Sequence, residues 1–125
     1  MLFDTDILIS VFRGNVRAAD LLDKFDDRQL SIISFMELIQ GVRDKRELKM
    51  IKSFLSDFAF QLLPLTENIG HRASIYMEEY SLRTGLRMAD ALIAATAVEN
   101  HATLSSGDQR HYKVIKDLDI RSFRP

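Results

Sequence analysis

The sequence predicts a three-layer α/β/α domain, with a short central, mostly parallel sheet covered by helices on both faces. Three observations lead there. Short apolar stretches alternate with longer segments whose apolar residues recur at helical spacing. The short stretches are nearly continuous in apolar character, as strands buried on both faces are. A carboxylate also follows the first of them at once, in Leu2-Phe3-Asp4.

Leu2 and Phe3 form the first strand, which ends at Asp4 and turns into a helix from Ile7 to Phe12. Arg13-Gly14-Asn15 closes that helix, and Asn15 caps the next, in which Val16, Ala19, Leu22 and Phe25 share a face. Gln29 to Ile33 reads as the second strand. Ser34-Phe35-Met36-Glu37 then matches the capping box that opens a helix, here one running to about Val42. Asp44 to Phe58 is amphipathic, with Leu48, Ile51, Leu55 and Phe58 on one side and a solvated basic face on the other. Phe60 to Leu63 is the third strand, stopped by Pro64.

Thr66 caps a helix carrying Ile69, Ala73, Tyr76, Met77 and Tyr80, the last three expected in the core or at a dimer contact, and Gly85 ends it. Met88 to Val98 has almost no polar face, so it is a buried helix, with Asp90 near its start. Ala102 to Ser105 is the fourth strand, followed by Ser106-Gly107-Asp108, and Asp117 to Phe123 is a last edge strand.

The 125 residues suit one domain with one core, and no linker, repeat or low-complexity run divides them. No apolar run is long enough to span a membrane, and Asp4 interrupts any secretory signal. The absence of cysteine excludes thiolate zinc sites and disulfides and fits a reducing cytoplasm. With a net charge of −1, nucleic acid cannot be gripped mainly by phosphate neutralisation, so any such contact must be local, metal-assisted or shared with another subunit.

Four carboxylates occupy comparable places: Asp4 after the first strand, Glu37 after the second, Asp90 at the start of the buried helix and Asp108 after the fourth strand. Right-handed crossovers bring such segments to one edge of a parallel sheet. Like charges gathered there raise one another's pKa unless a cation sits among them. Oxygen ligands suit Mg²⁺, with Mn²⁺ as a substitute, and the natural chemistry is metal-assisted hydrolysis of a phosphodiester by a metal-bound water. Singly, each acid has an ordinary explanation. Asp4 can cap a helix, Glu37 belongs to a capping box, Asp90 complements a helix dipole and Asp108 sits in a turn. The case rests on all four together.

Asp4-Thr5-Asp6-Ile7-Leu8-Ile9, Ser34-Phe35-Met36-Glu37-Leu38 with Gly41, Asp90-Ala91-Leu92-Ile93-Ala94-Ala95-Thr96-Ala97, and Leu104-Ser105-Ser106-Gly107-Asp108 with Tyr112 resemble the successive motifs of PIN-domain ribonucleases. The compact length most resembles the VapC toxins of type II toxin–antitoxin pairs. That resemblance implies a PIN-like fold and an acidic quartet of Asp4, Glu37, Asp90 and Asp108 holding Mg²⁺. It also implies endonucleolytic cleavage of RNA, a cognate antitoxin and a homodimer. Asp6, Ser34 and Ser106 would stand behind the ligands. Asp6 departs from the family's usual Ser or Asn and could be a helix cap or an outer contact of the metal. Ser106 and Gly107 replace a usual Thr and a larger residue, which suggests a looser turn around Asp108. His111 replaces a common Asp and is expected at the surface. His71 and His101 show no ligand spacing.

Two rivals remain at this level. A haloacid-dehalogenase-like phosphatase shares an opening resembling Asp4-Thr5-Asp6, but no acid follows Asp108 within the expected reach. A PIN-like scaffold could keep the fold and only bind a partner.

Overall fold

The computed structural model describes residues 1–125. In chain order the elements are β1 (Leu2–Phe3), α1 (Thr5–Phe12), α2 (Val16–Asp23), β2 (Gln29–Ser31), α3 (Ile32–Gln40), α4 (Lys45–Asp57), β3 (Gln61–Leu63), α5 (Glu67–Thr84), α6 (Met88–Glu99), β4 (Leu104–Ser106), α7 (Gln109–Tyr112) and β5 (Ile120–Ser122). The strands form one sheet in the order β3-β2-β1-β4-β5, and every neighbouring pair is parallel.

The shortest strand sits at the centre. Leu2 and Phe3 are fully buried, and the twofold period of a strand sends them to opposite faces. Leu2 joins Ile69, Ala73, Ile93 and Leu104, whereas Phe3 joins Ile7, Leu22, Leu30 and Leu38. The rings of Phe25 and Phe60 meet Phe3 edge-on, each at 6.1 Å between centroids. These two cores are the outer layers' grip on the sheet.

Helix α6 is buried as its composition requires: Ala91, Ala94, Ala95 and Ala97 are closed to solvent, and their small side chains let α5 pack closely. Helix α5 starts at Thr66, whose hydroxyl accepts from the Ile69 N–H at 3.2 Å. It ends at Gly85, whose φ of +74° is the left-handed turn that only glycine adopts freely. Tyr76 is buried, and Met77 and Tyr80 pack against the same core.

Two helices start two residues earlier than the sequence expectation, and β3, β4 and β5 start one to three residues later than expected. Helix α1 begins at Thr5, not Ile7, because Asp4 Oδ1 accepts the Thr5 N–H at 2.8 Å. More consequentially, Ser34 and Glu37 do not form a capping box. Helix α3 starts at Ile32, and its cap is Ser31, whose hydroxyl oxygen accepts from the Ile33 N–H at 3.0 Å. Two serines three residues apart compete for one cap. Ending β2 at Ser31 settles the competition and carries Ile32 and Ile33 into the helix. Ser34 and Glu37 thereby move into the body of α3, free to face α1.

Candidate metal centre and active site

From β1 the chain builds outward through β2 and β3, then returns to the other side of β1 for β4 and β5. At such a reversal the carboxyl ends of the two diverging strands, here β1 and β4, leave a crevice. Asp4 is the residue after β1, and Gly107-Asp108 follow β4.

Asp4 is only 6% exposed. Its Oδ1 receives the Thr5 N–H, and its Oδ2 receives the Ser106 hydroxyl at 2.6 Å. Burial, then the charge of Asp6, with a smaller contribution from Asp90, pushes its carboxyl up to about 7 against the opposing pull of those two hydrogen bonds. Ser106 is itself fully buried and also accepts the Asp108 N–H, at 2.9 Å. One serine hydroxyl thus ties the buried acid to the backbone of the next one.

Asp90 lies in the first turn of α6, where its Oδ2 accepts the Arg87 N–H at 3.2 Å. Its Oδ1 is 3.5 Å from the hydroxyl of Tyr112, a wholly buried side chain. Burial, then the charges of Asp4 and Asp90, hold the Tyr112 phenol far above its ordinary range. It stays a neutral donor among carboxylates. Asp108 caps α7 through the His111 N–H at 3.3 Å, and its Oδ2 lies 2.7 Å from His111 Nδ1.

Asp90, Asp108 and His111 each bring one ligand atom within 4.8 Å of the others. The surface role expected for His111 is therefore corrected: its side chain is only 23% exposed and sits in the cluster. The placement follows from i,i+3 spacing on the short helix that Asp108 caps, which puts both residues on one side. His71 and His101 are exposed, away from the cluster.

Glu37 stands apart. It is exposed, and its carboxylate reaches the site through Thr5, whose Oγ1 lies 2.7 Å from Glu37 Oε1 and 2.8 Å from Ser34 Oγ. Thr5 was given no role from the sequence, and its hydroxyl links α1 to α3. Asp6 is half-buried, its carboxyl raised chiefly by burial, and its Oδ2 accepts the Gly107 N–H at 2.9 Å. The turn around Asp108 is therefore tied, not loose.

No lysine or arginine forms an ion pair with Asp4, Asp6, Glu37, Asp90 or Asp108; the only partner of the opposite type is His111. Several acids around one buried carboxyl, without a lysine or arginine to offset them, match the donor set of a hard divalent cation. Beyond Glu37, a groove of about 1220 Å³ runs between α1, α3 and α4, floored by Ile9, Phe12, Leu38 and Phe54 and rimmed by Arg43 and Lys49.

A family model described as PIN domain matches residues 1–117. Ribonuclease VapC10 of Mycobacterium tuberculosis is 32% identical over 122 residues, covering 94% of this chain and 90% of the relative. A chain in a toxin–antitoxin complex from Klebsiella pneumoniae superposes with a TM-score of 0.80 at 27% identity, over 94% of this chain and 93% of that one. A chain of VapBC2 from Rickettsia felis, bound to a promoter DNA fragment, shares the fold at 17% identity, with a TM-score of 0.81 over 98% of each chain. These matches leave no room for the phosphatase alternative. With a model spanning nearly its whole length and a relative above 30% identity, the chain belongs to the PIN-domain family, and within it to the VapC type.

Proposed function

We propose that residues 1–125 act as a single domain, a divalent-metal-dependent endoribonuclease that serves as the toxin of a type II toxin–antitoxin pair in the cytoplasm. The observation that supports this best is the meeting of Asp4, Asp90 and Asp108 around the buried Tyr112 hydroxyl, with no lysine or arginine paired to any of them. Asp4, Asp90 and Asp108 would hold Mg²⁺, or Mn²⁺ in its place, and Glu37 would complete the quartet from the solvent side. When bound, the ion supplies positive charge for phosphate oxygens and lowers the pKa of water.

The chain's own groups do the rest. Ser106 fixes the Asp4 carboxylate by donating to Oδ2, and Thr5 holds Glu37 at the mouth of the crevice. Tyr112, kept neutral, donates toward Asp90 and closes the floor against water. Glu37, being exposed, would face an RNA strand lying across the opening. Ser34 and Asp6 hold Thr5 and the Asp108 turn from behind.

Two kinds of partner follow. The similar structures from Klebsiella and Rickettsia are toxin–antitoxin complexes, and the groove between α1, α3 and α4 suits an antitoxin segment that is apolar on one side and acidic at its edges. Leu82 is entirely exposed and Met88 is 69% exposed on either side of the turn at Gly85, which suits a contact between two protomers.

The test is cleavage of structured RNA with and without Mg²⁺. EDTA, Asp4→Asn and Asp90→Asn should each abolish it, with the variants losing at least about 100-fold, the scale of one lost transition-state contact. Cleavage that persists in EDTA would rule out the metal-dependent mechanism. No cleavage under any condition, together with tight antitoxin binding, would favour the non-catalytic scaffold.

A further inference from the structure

We infer that Asp6 and Gly107 are a matched pair, with Asp6 the positioning residue that sets the turn carrying Asp108; the inference rests on the metal-centre reading above. Asp6 is the second residue of α1, and Gly107 lies 101 positions later, between Ser106 and Asp108. The Gly107 N–H donates to Asp6 Oδ2 at 2.9 Å. A Cβ built on Gly107 would stand 2.8 Å from that same oxygen and 3.4 Å from the Phe123 carbonyl oxygen. The first distance is shorter than carbon and oxygen tolerate without movement.

Backbone conformation does not explain the glycine. Positive φ among the glycines is confined to Gly14 and Gly85, so Gly107 has a dihedral open to other residues. Room explains it. On one side is the Asp6 carboxylate; on the other is the strand-end backbone of Phe123, whose N–H donates to the Ser106 carbonyl at 3.0 Å. A Cβ at 107 must displace the Asp6 carboxylate and so disturb the bond that Asp6 makes. Ser106 already ties Asp4 to the Asp108 N–H. Asp6 adds a second tie between the same two segments, one from the start of α1 to the turn after β4. Two ties fix the orientation of the turn where one leaves it free to pivot.

The experiment is a double-mutant cycle with two readouts: Mn²⁺ affinity by titration calorimetry, and melting of the metal-free protein. Gly107→Ala should weaken Mn²⁺ binding by roughly 10-fold, the lower end for losing a support of a metal ligand. Asp6→Ser alone loses the carboxylate that accepts the Gly107 N–H and should also weaken Mn²⁺ binding. In Asp6→Ser/Gly107→Ala the smaller side chain makes room for the new methyl, so the loss in affinity and in melting temperature should be about that of the larger single variant and not the sum of the two. Asp6→Asn keeps an oxygen to accept from the Gly107 N–H and should stay near the parent in affinity. Additive losses in the double variant on both readouts would overturn the pairing. An Asp6→Asn loss as large as that of Asp90→Asn would make Asp6 a ligand and overturn its positioning role. If Asp90→Asn leaves Mn²⁺ affinity unchanged, the metal-centre reading fails by itself. Coupling between positions 6 and 107 in the melting data then still decides whether the pair is real.

Discussion

Helix α6 carries acids at both ends, and their circumstances are opposite. At its start, Asp90 faces Asp4 and Asp108 with no lysine or arginine paired to any of them. About 13 Å along the axis at 1.5 Å per residue, Glu99 and Asp117 share one guanidinium: Arg72 donates through Nε to Glu99 and through Nη1 to Asp117 at 2.8 Å. The Tyr76 hydroxyl adds a 3.0 Å bond to Asp117, and burial pushes that phenol up to about 12. The Arg72 end lines a cavity of about 530 Å³. Concavity and acidity therefore do not by themselves mark a metal centre. The distinction is whether the charges are already satisfied, because a satisfied cluster has no remaining affinity for a cation.

The largest effect that would sharpen this contrast is on metal-free stability against pH. Asp4 has a folded pKa of about 7 against an ordinary 3.8, so between those values the folded chain binds more protons than the unfolded one. Its stabilising contribution is complete below pH 3.8 and is lost as pH rises to about 7, by at most about 4 kcal/mol. Denaturant melts from pH 4 to 8 in EDTA should show this fall. Asp4→Asn should flatten it, and saturating Mg²⁺ should offset it at the high end. A flat profile for the parent protein would mean that Asp4 is less isolated from countercharge than its surroundings indicate.

Next in size is Arg72→Ala, which leaves Glu99 and Asp117 unpaired. It should lower stability by about 1 kcal/mol, because the pair is partly exposed. RNA cleavage by the folded fraction should not change. Loss of cleavage without loss of stability would put function at the wrong end of α6.

His111→Ala should have a smaller effect, confined to metal selectivity. An imidazole beside two carboxylates favours Mn²⁺ over Mg²⁺. Removing it should narrow the ratio of the two affinities by several-fold in calorimetry, on the order of one ligand support. The smallest change is expected for Arg43→Ala, which breaks only the exposed i,i+4 pair with Glu47 and should leave melting unaltered.

Much of this was legible from the chain. The alternation of apolar stretches with helical periods located every strand to within a few residues and implied parallel pairing. Leu2-Phe3-Asp4 and the alanine-rich helix behind Asp90 announced an edge where acids meet. The ambiguity at Ser31 and Ser34 was not soluble locally, since both serines can cap and only the pairing of β2 chose between them. Asp6, Gly107 and His111 looked like departures from a pattern. In the fold the first two fit each other and the third joins Asp90 and Asp108, relations that span up to 101 positions and leave no periodic trace.

By itself the sequence determined the layers, the buried helix and which acids follow which strands, because local propensity and hydrophobic period act over a few residues. The tertiary structure decided the strand order, the burial that raises Asp4, the tie of Thr5 to Glu37 and the pairing of Arg72 away from the site. Each of these depends on which distant side chain fills the neighbouring space. Desolvation and close contact are set by three-dimensional packing, which sequence spacing does not encode.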